Sequence, residues 1–183
     1  MSVTECNRRR IPVKFLKMGM LSLCAWGLFS SGAAAVELPR EAALPVSLAT
    51  KAALAAMEKC TADGYRVSAA VVDRAGVLRA LVREDGAGPH TVDSSRKKAY
   101  TAASMKRPTG ELAELVTKMP AIEGIRDMND SILILGGGLP IEMGGEVVGG
   151  IGVGGAPGAH LDAACAQAGL ESIGAASKVQ KDK

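Results

Sequence analysis

The stretch GGEVVGGIGVGGAPG, residues 144–158, decides how the chain is read. Inside it, Gly150-Ile151-Gly152-Val153-Gly154-Gly155 spells G-x-G-x-x-G. A dinucleotide loop of that spelling forms the first turn of a βαβ unit, with an acidic residue about 20 positions on, at the end of a second parallel strand. Only 28 residues follow Gly155, and they read as one helix and a Lys-rich tail. Pro157 also interrupts the loop, and no G-K-[ST] follows any glycine run. No nucleotide is therefore expected. Glycine is costly inside a strand and marks a bend or a close approach. Gly149, Gly150, Gly152 and Gly154 clear the last strand, while Val148, Ile151 and Val153 can pack. A helix or a second subunit is expected against this strand, and a ligand against Gly136-Gly137-Gly138.

Working outward, residues 146–153 read as the last strand, Gly144-Gly145 as a hairpin turn and LPIEM, 139–143, as the strand before it. SILIL, 131–135, is a short apolar run expected to be a buried strand that GGG breaks. Upstream, 66–73 and 77–84 are β-branched apolar runs around Arg74-Ala75-Gly76, a hairpin. Ser47 is a plausible N-cap for a helix that Gly64 stops. Residues 91–106 form a second helix that Pro108 ends, and Thr109 can cap a third, GELAELVTK. An irregular piece, MPAIEGIRDMND, follows, and a last helix covers about 158–174. The order is α-ββ-αα-βββ-α. The expected fold is α/β (α+β): one five-stranded antiparallel sheet with helices on both faces.

Residues 1–35 read as a signal peptide. Arg8, Arg9, Arg10, Lys14 and Lys17 precede an apolar run, Met18 to Phe29, and Ala33-Ala34-Ala35 offers an A-x-A cleavage site. The run is too short for a bilayer span of roughly 20 residues, so no stable membrane insertion is expected after cleavage. The localisation expected is periplasmic or secreted. Residues 36–46 are an N-terminal arm, 47–176 the domain and 177–183 a polar tail. The whole chain carries 22 basic and 19 acidic residues. Cleavage leaves 17 and 18, so the basicity belongs to the leader and does not argue for nucleic acid. Aromatics make up 3%, too few for a base-stacking platform. Two cysteines survive cleavage, Cys60 and Cys165. An oxidising compartment permits a bridge between them, and two buried thiols are the alternative.

Four motifs in order carry a resemblance. Ser94-Ser95-Arg96-Lys97-Lys98-Ala99-Tyr100-Thr101-Ala102-Ala103-Ser104 with Arg107-Pro108-Thr109 is similar to S-x-x-K-A-x-T-A-x followed by PT. Gly137-Gly138-Leu139-Pro140-Ile141 is similar to G-G-x-P-I, Val148 to Val153 to V-G-A-I-G-V, and Asp162 to Gly169 to D-x-x-C/I-A-x-A-G. Together they resemble the GlcG/HbpS family, the haem-degrading domain family, which is related to the C-terminal domain of PduO-type corrinoid adenosyltransferases. The resemblance spans about residues 47–175. It implies a profilin-like layering, a homo-oligomer from dimer to octamer, and a site for a tetrapyrrole or other small molecule, with non-covalent haem as the first ligand to test.

Site candidates follow from the motifs and from haem chemistry. His90 is the expected iron ligand or, in an enzyme acting on haem or a small carboxylate, the acid/base; the alternative is a surface residue. His160 is read as a surface residue. Arg96 and Lys97 are expected to hold carboxylates, with Lys97 taken as the motif lysine and Lys98 as an equal candidate for a solvated face. Tyr100, Thr101, Thr109, Gly137, Gly138 and Pro140 complete the expected ligand site. Met105 is a soft iron ligand or core. Asp85 and Asp93 beside His90, and Glu123 with Asp127, are carboxylate groupings without recognised catalytic spacing. No G-x-S-x-G and no H-E-x-x-H occurs, so whether the protein is an enzyme stays open. An accessory oligomer without haem is the third reading.

Overall fold

A computed structural model describes residues 37–175. The leader, its cleavage site, Val36 and the polar tail lie outside the described residues. Among the described residues there are four α-helices and four strands: α1 Val46–Ala62, β1 Ser68–Asp73, β2 Leu78–Arg83, α2 His90–Met105, α3 Thr109–Lys118, β3 Gly138–Met143, β4 Glu146–Gly154 and α4 Ala159–Ser172. A 3-10 turn, Pro120–Arg126, follows α3. The strands form one antiparallel sheet in the order β2-β1-β4-β3. Among the described residues no helix is long and apolar enough to cross a membrane.

The expected fifth strand is absent, and SILIL is the segment concerned. Its Leu133 N–H donates to the Thr101 hydroxyl at 2.8 Å instead of to a neighbouring strand. Ile132 and Ile134 pack with Leu112 and Val116 of α3 in a cluster of their own. A short apolar run serves a helix-facing cover as well as a strand, and composition does not separate the two. The expected caps also shift. Pro45 and Pro108, rather than Ser47 and Thr109, flank the starts of α1 and α3. Leu44, in the expected arm, is buried in the core.

Alternation sets the two faces. Ala69 and Val71 of β1, with Ile151 and Val153 of β4, join the large cluster under α1 and α4, while Ala70 and Val72 meet Ala99 and Ala103 of α2. With few aromatics to fill space, the first face closes by small residues. Ala49, Ala52, Ala53 and Ala56 line one side of α1, and a Cβ on Gly169 of α4 would lie 2.7 Å from the Ala52 carbonyl. Cys60 and Cys165 bridge this helix pair, with Cα atoms 5.6 Å apart and sulfurs at 2.11 Å.

The glycine-rich stretch is a central strand, paired on both sides, and not a loop. Gly150, Gly152 and Gly154 face α2, while Gly149 lies against Val72 of β1 and Leu44. A Cβ on Gly152 would run into the Ser95 carbonyl and lie 2.5 Å from the Ala99 nitrogen, both backbone atoms. A helix backbone thus lies directly on the sheet, which answers the question the sequence raised. Gly152→Ala is expected to cost about 2 kcal/mol in urea unfolding, because neither atom can move without shifting α2. An unchanged midpoint would show that α2 has room to retreat. Gly144 and Gly145 both have positive φ, +60° and +84°, as a two-residue type I′ turn requires.

Candidate functional site

Three segments distant in sequence enclose a cavity of about 520 Å³. The start of α3 supplies Pro108, Gly110, Glu111, Ala113 and Glu114; the approach to β3 supplies residues 135–139; the start of α4 supplies Ala159, His160 and Ala163. The walls are mostly aliphatic, and Leu135 is 46% exposed at the opening. Neither α3 nor α4 has a side-chain cap, so their first N–H groups are left to solvent or a ligand.

The floor is the GGG segment, and buried polar groups fix it from behind. Gly138 N–H donates to the Thr109 hydroxyl at 2.8 Å, and Val153 N–H donates to the Gly137 carbonyl at 2.9 Å. Gly137 has φ +111° and leaves no space for a side chain: a Cβ would lie 2.6 Å from Asp162 Cβ and 3.0 Å from Lys98 Nζ. Those two residues form a buried ion pair at 2.7 Å, with side-chain exposures of 2% and 5%. Lys98 also donates to the Val153 carbonyl at 2.9 Å. The other Asp162 oxygen accepts the Ala156 N–H at 3.0 Å. One pair therefore ties α2, the end of β4, the loop after it and α4 together. Burial pushes the Asp162 carboxyl above the usual carboxylate range, while the Lys98 charge, its hydrogen bond and the Ala156 N–H pull it back.

Of the residues expected at the site, Gly137 and Gly138 line the cavity and Thr109 holds its floor. Pro140 is buried in β3 opposite Gly150. Thr101 is buried between the Lys97 carbonyl and Leu133. The Tyr100 ring covers Gly76 of the β1–β2 turn. Met105 packs against the α3 cluster. None of these four lines the cavity.

Arg96 and Lys97 instead pair with Asp93 on the helix surface, at 3.0 Å and 3.1 Å. The Arg96 hydrogen bond, followed by Lys97, holds the Asp93 carboxyl below its ordinary value. Lys98, an equal candidate for a solvated face, is the buried lysine, and Lys97 lies on the helix surface. The signal was present, since S-x-x-K-A-x-T-A fits Ser95 to Ala102 with Lys98 as its lysine.

Both histidines are exposed, as expected for His160, and they differ in what lies beside them. His90 is exposed at the start of α2, its imidazole lying over Gly88, and it is not among the cavity's lining residues. His160, also exposed, lines the cavity. Among the described residues no three His, Cys, Asp or Glu side chains converge to hold a bare metal ion.

Comparison with known proteins places this geometry. A family model described as haem degrading protein HbpS-like matches residues 44–171. Protein GlcG of Escherichia coli (strain K12) is 34% identical over 110 residues, 60% of this chain and 80% of GlcG. The crystal structure of a double mutant of HbpS from Streptomyces reticuli is 44% identical with a TM-score of 0.69, covering 73% of this chain and 89% of that one. The structure of a PduOC:heme complex is 26% identical with a TM-score of 0.69, covering 74% of this chain and 99% of that one.

Proposed function

The chain belongs to the HbpS-like family of haem-degrading proteins, and from that premise we propose that it binds haem or a related tetrapyrrole, non-covalently, in the cavity between α3, GGG and α4. The observation that carries this reading is the cavity itself. Its volume of about 520 Å³ lies within the roughly 300–1,000 Å³ of small-molecule sites. Its aliphatic walls and side-chain-free floor suit a flat, largely apolar ring. Leu135, Leu139, Pro108 and Ala163 would hold the macrocycle, which supplies a redox-active iron when bound. The haem-bound relative PduOC supports the ligand class.

A titration of the purified protein with ferric haem, followed by absorbance, tests this. Saturable one-to-one binding is expected in the wild type, and Ala163→Trp, which fills the cavity, is expected to weaken it at least tenfold. Binding without saturation, or equal binding by Ala163→Trp, would refute the cavity as the site.

The reading includes export. The basic run, apolar run and Ala33-Ala34-Ala35 support a cleaved leader, and the Cys60–Cys165 bridge suits an oxidising compartment. N-terminal sequencing of exported protein should begin at Val36. The reading also includes a homo-oligomer, for which the edge strand β2 offers exposed Leu78 beside Val77. A light-scattering mass of one chain would remove it.

A further inference from the structure

We propose that His160, not His90, is the residue that contacts the iron of the ligand in this cavity. The inference rests on the tetrapyrrole reading above and names the atom that reading leaves unassigned. The lining residues are Gly, Ala, Leu and Pro apart from Glu111, Glu114 and His160. Both carboxylates already have basic partners four residues away, one within α3 and one just before it. Glu114 pairs with Lys118 at 3.4 Å, and Glu111 has Arg107 at 3.9 Å. Among the lining side chains His160 alone offers an imidazole nitrogen, the ligand type that suits haem iron. No side-chain hydrogen bond or ion pair of the described residues occupies its imidazole.

The backbone around His160 has room made for this ring. The imidazole folds back over Gly158, where a Cβ would lie 2.8 Å from Cε1 and 3.0 Å from Nδ1. Nε2 is the more distant nitrogen, at 3.7 Å. Glycine at 158 thus permits the ring to lie on the backbone with its Cε1–Nδ1 edge toward Gly158. His90 sits over Gly88 in the same manner. The two histidines are alike in local sequence and local conformation, since each lies two residues after a glycine and opens a helix. They differ in what tertiary structure puts beside them: the α4 residue lines this cavity and the α2 residue does not.

The test is a ferric-haem titration of wild type, His160→Ala, His90→Ala and Gly158→Ala. It is read by the position of the Soret band, by the dissociation constant and by low-temperature electron paramagnetic resonance. Wild type and His90→Ala should share one spectrum. His160→Ala should move the Soret band and weaken binding at least tenfold, and free imidazole should restore the wild-type spectrum. Gly158→Ala keeps the imidazole but displaces it, and should alter the spectrum in the same direction. Matching circular dichroism and melting curves exclude misfolding of the exposed variants. An unchanged spectrum in His160→Ala, or the loss appearing in His90→Ala, overturns this assignment while the haem reading stands. Failure of the wild type to saturate overturns both.

Discussion

Asp162→Asn is expected to destabilise the protein by about 3–5 kcal/mol in denaturant unfolding, the cost of leaving a buried charge without its partner. Lys98 is 2% exposed and cannot reach water without opening the contact between α2 and β4. The asparagine keeps an oxygen for the Ala156 N–H, but its amide NH2 replaces the oxygen that accepts from Lys98, so the loss reports the missing charge together with that acceptor. Lys98→Met in the same protein should recover most of the stability, because a neutral pair no longer holds an uncompensated ammonium. A double variant as unstable as the sum of the two single ones would show that the pair contributes by shape alone.

Removing the Cys60–Cys165 bridge is the other large effect. The bond closes a loop with a sequence separation of 105, and losing a bridge of this kind costs about 2–4 kcal/mol. Cys60→Ser with Cys165→Ser should lower the unfolding midpoint accordingly. Both cysteines are essentially without solvent contact, at 0% and 1%. Thiol reductant should consequently act on the native protein only at the rate of unfolding. Rapid reduction under native conditions, followed by no loss of stability, would remove the bridge from the account. The α1–α4 pair that it joins already meets through alanine and glycine, so the variant should still fold at low temperature.

Local pattern was enough for much of the fold. Stop, proline and apolar-spacing signals marked the helices, paired apolar runs marked both hairpins, and Gly144-Gly145 marked one turn. The glycines of β4 were legible as a site of close approach because a strand that gives up its side chains does so for a neighbour. The resemblance was legible in four motifs, and the family model covers the same span. SILIL was misread because five apolar residues describe burial and not the partner. Thr101, in another helix, intercepts the backbone N–H that a strand would have paired.

The amino-acid sequence by itself therefore determined the helices, the two hairpins, the family and the two cysteines that could meet. Tertiary structure alone decided which of two adjacent lysines is buried and which of two histidines faces a cavity. Lys97 and Lys98 differ by about 100° around α2, and only the position of β4 and α4 turns that angle into exposure or an ion pair. His90 and His160 have the same local setting, and the cavity beside one of them is made by α3 and GGG, tens of residues away in the chain. Helical period and turn chemistry report what a residue does to its own backbone. A site reports which distant backbones arrive beside it.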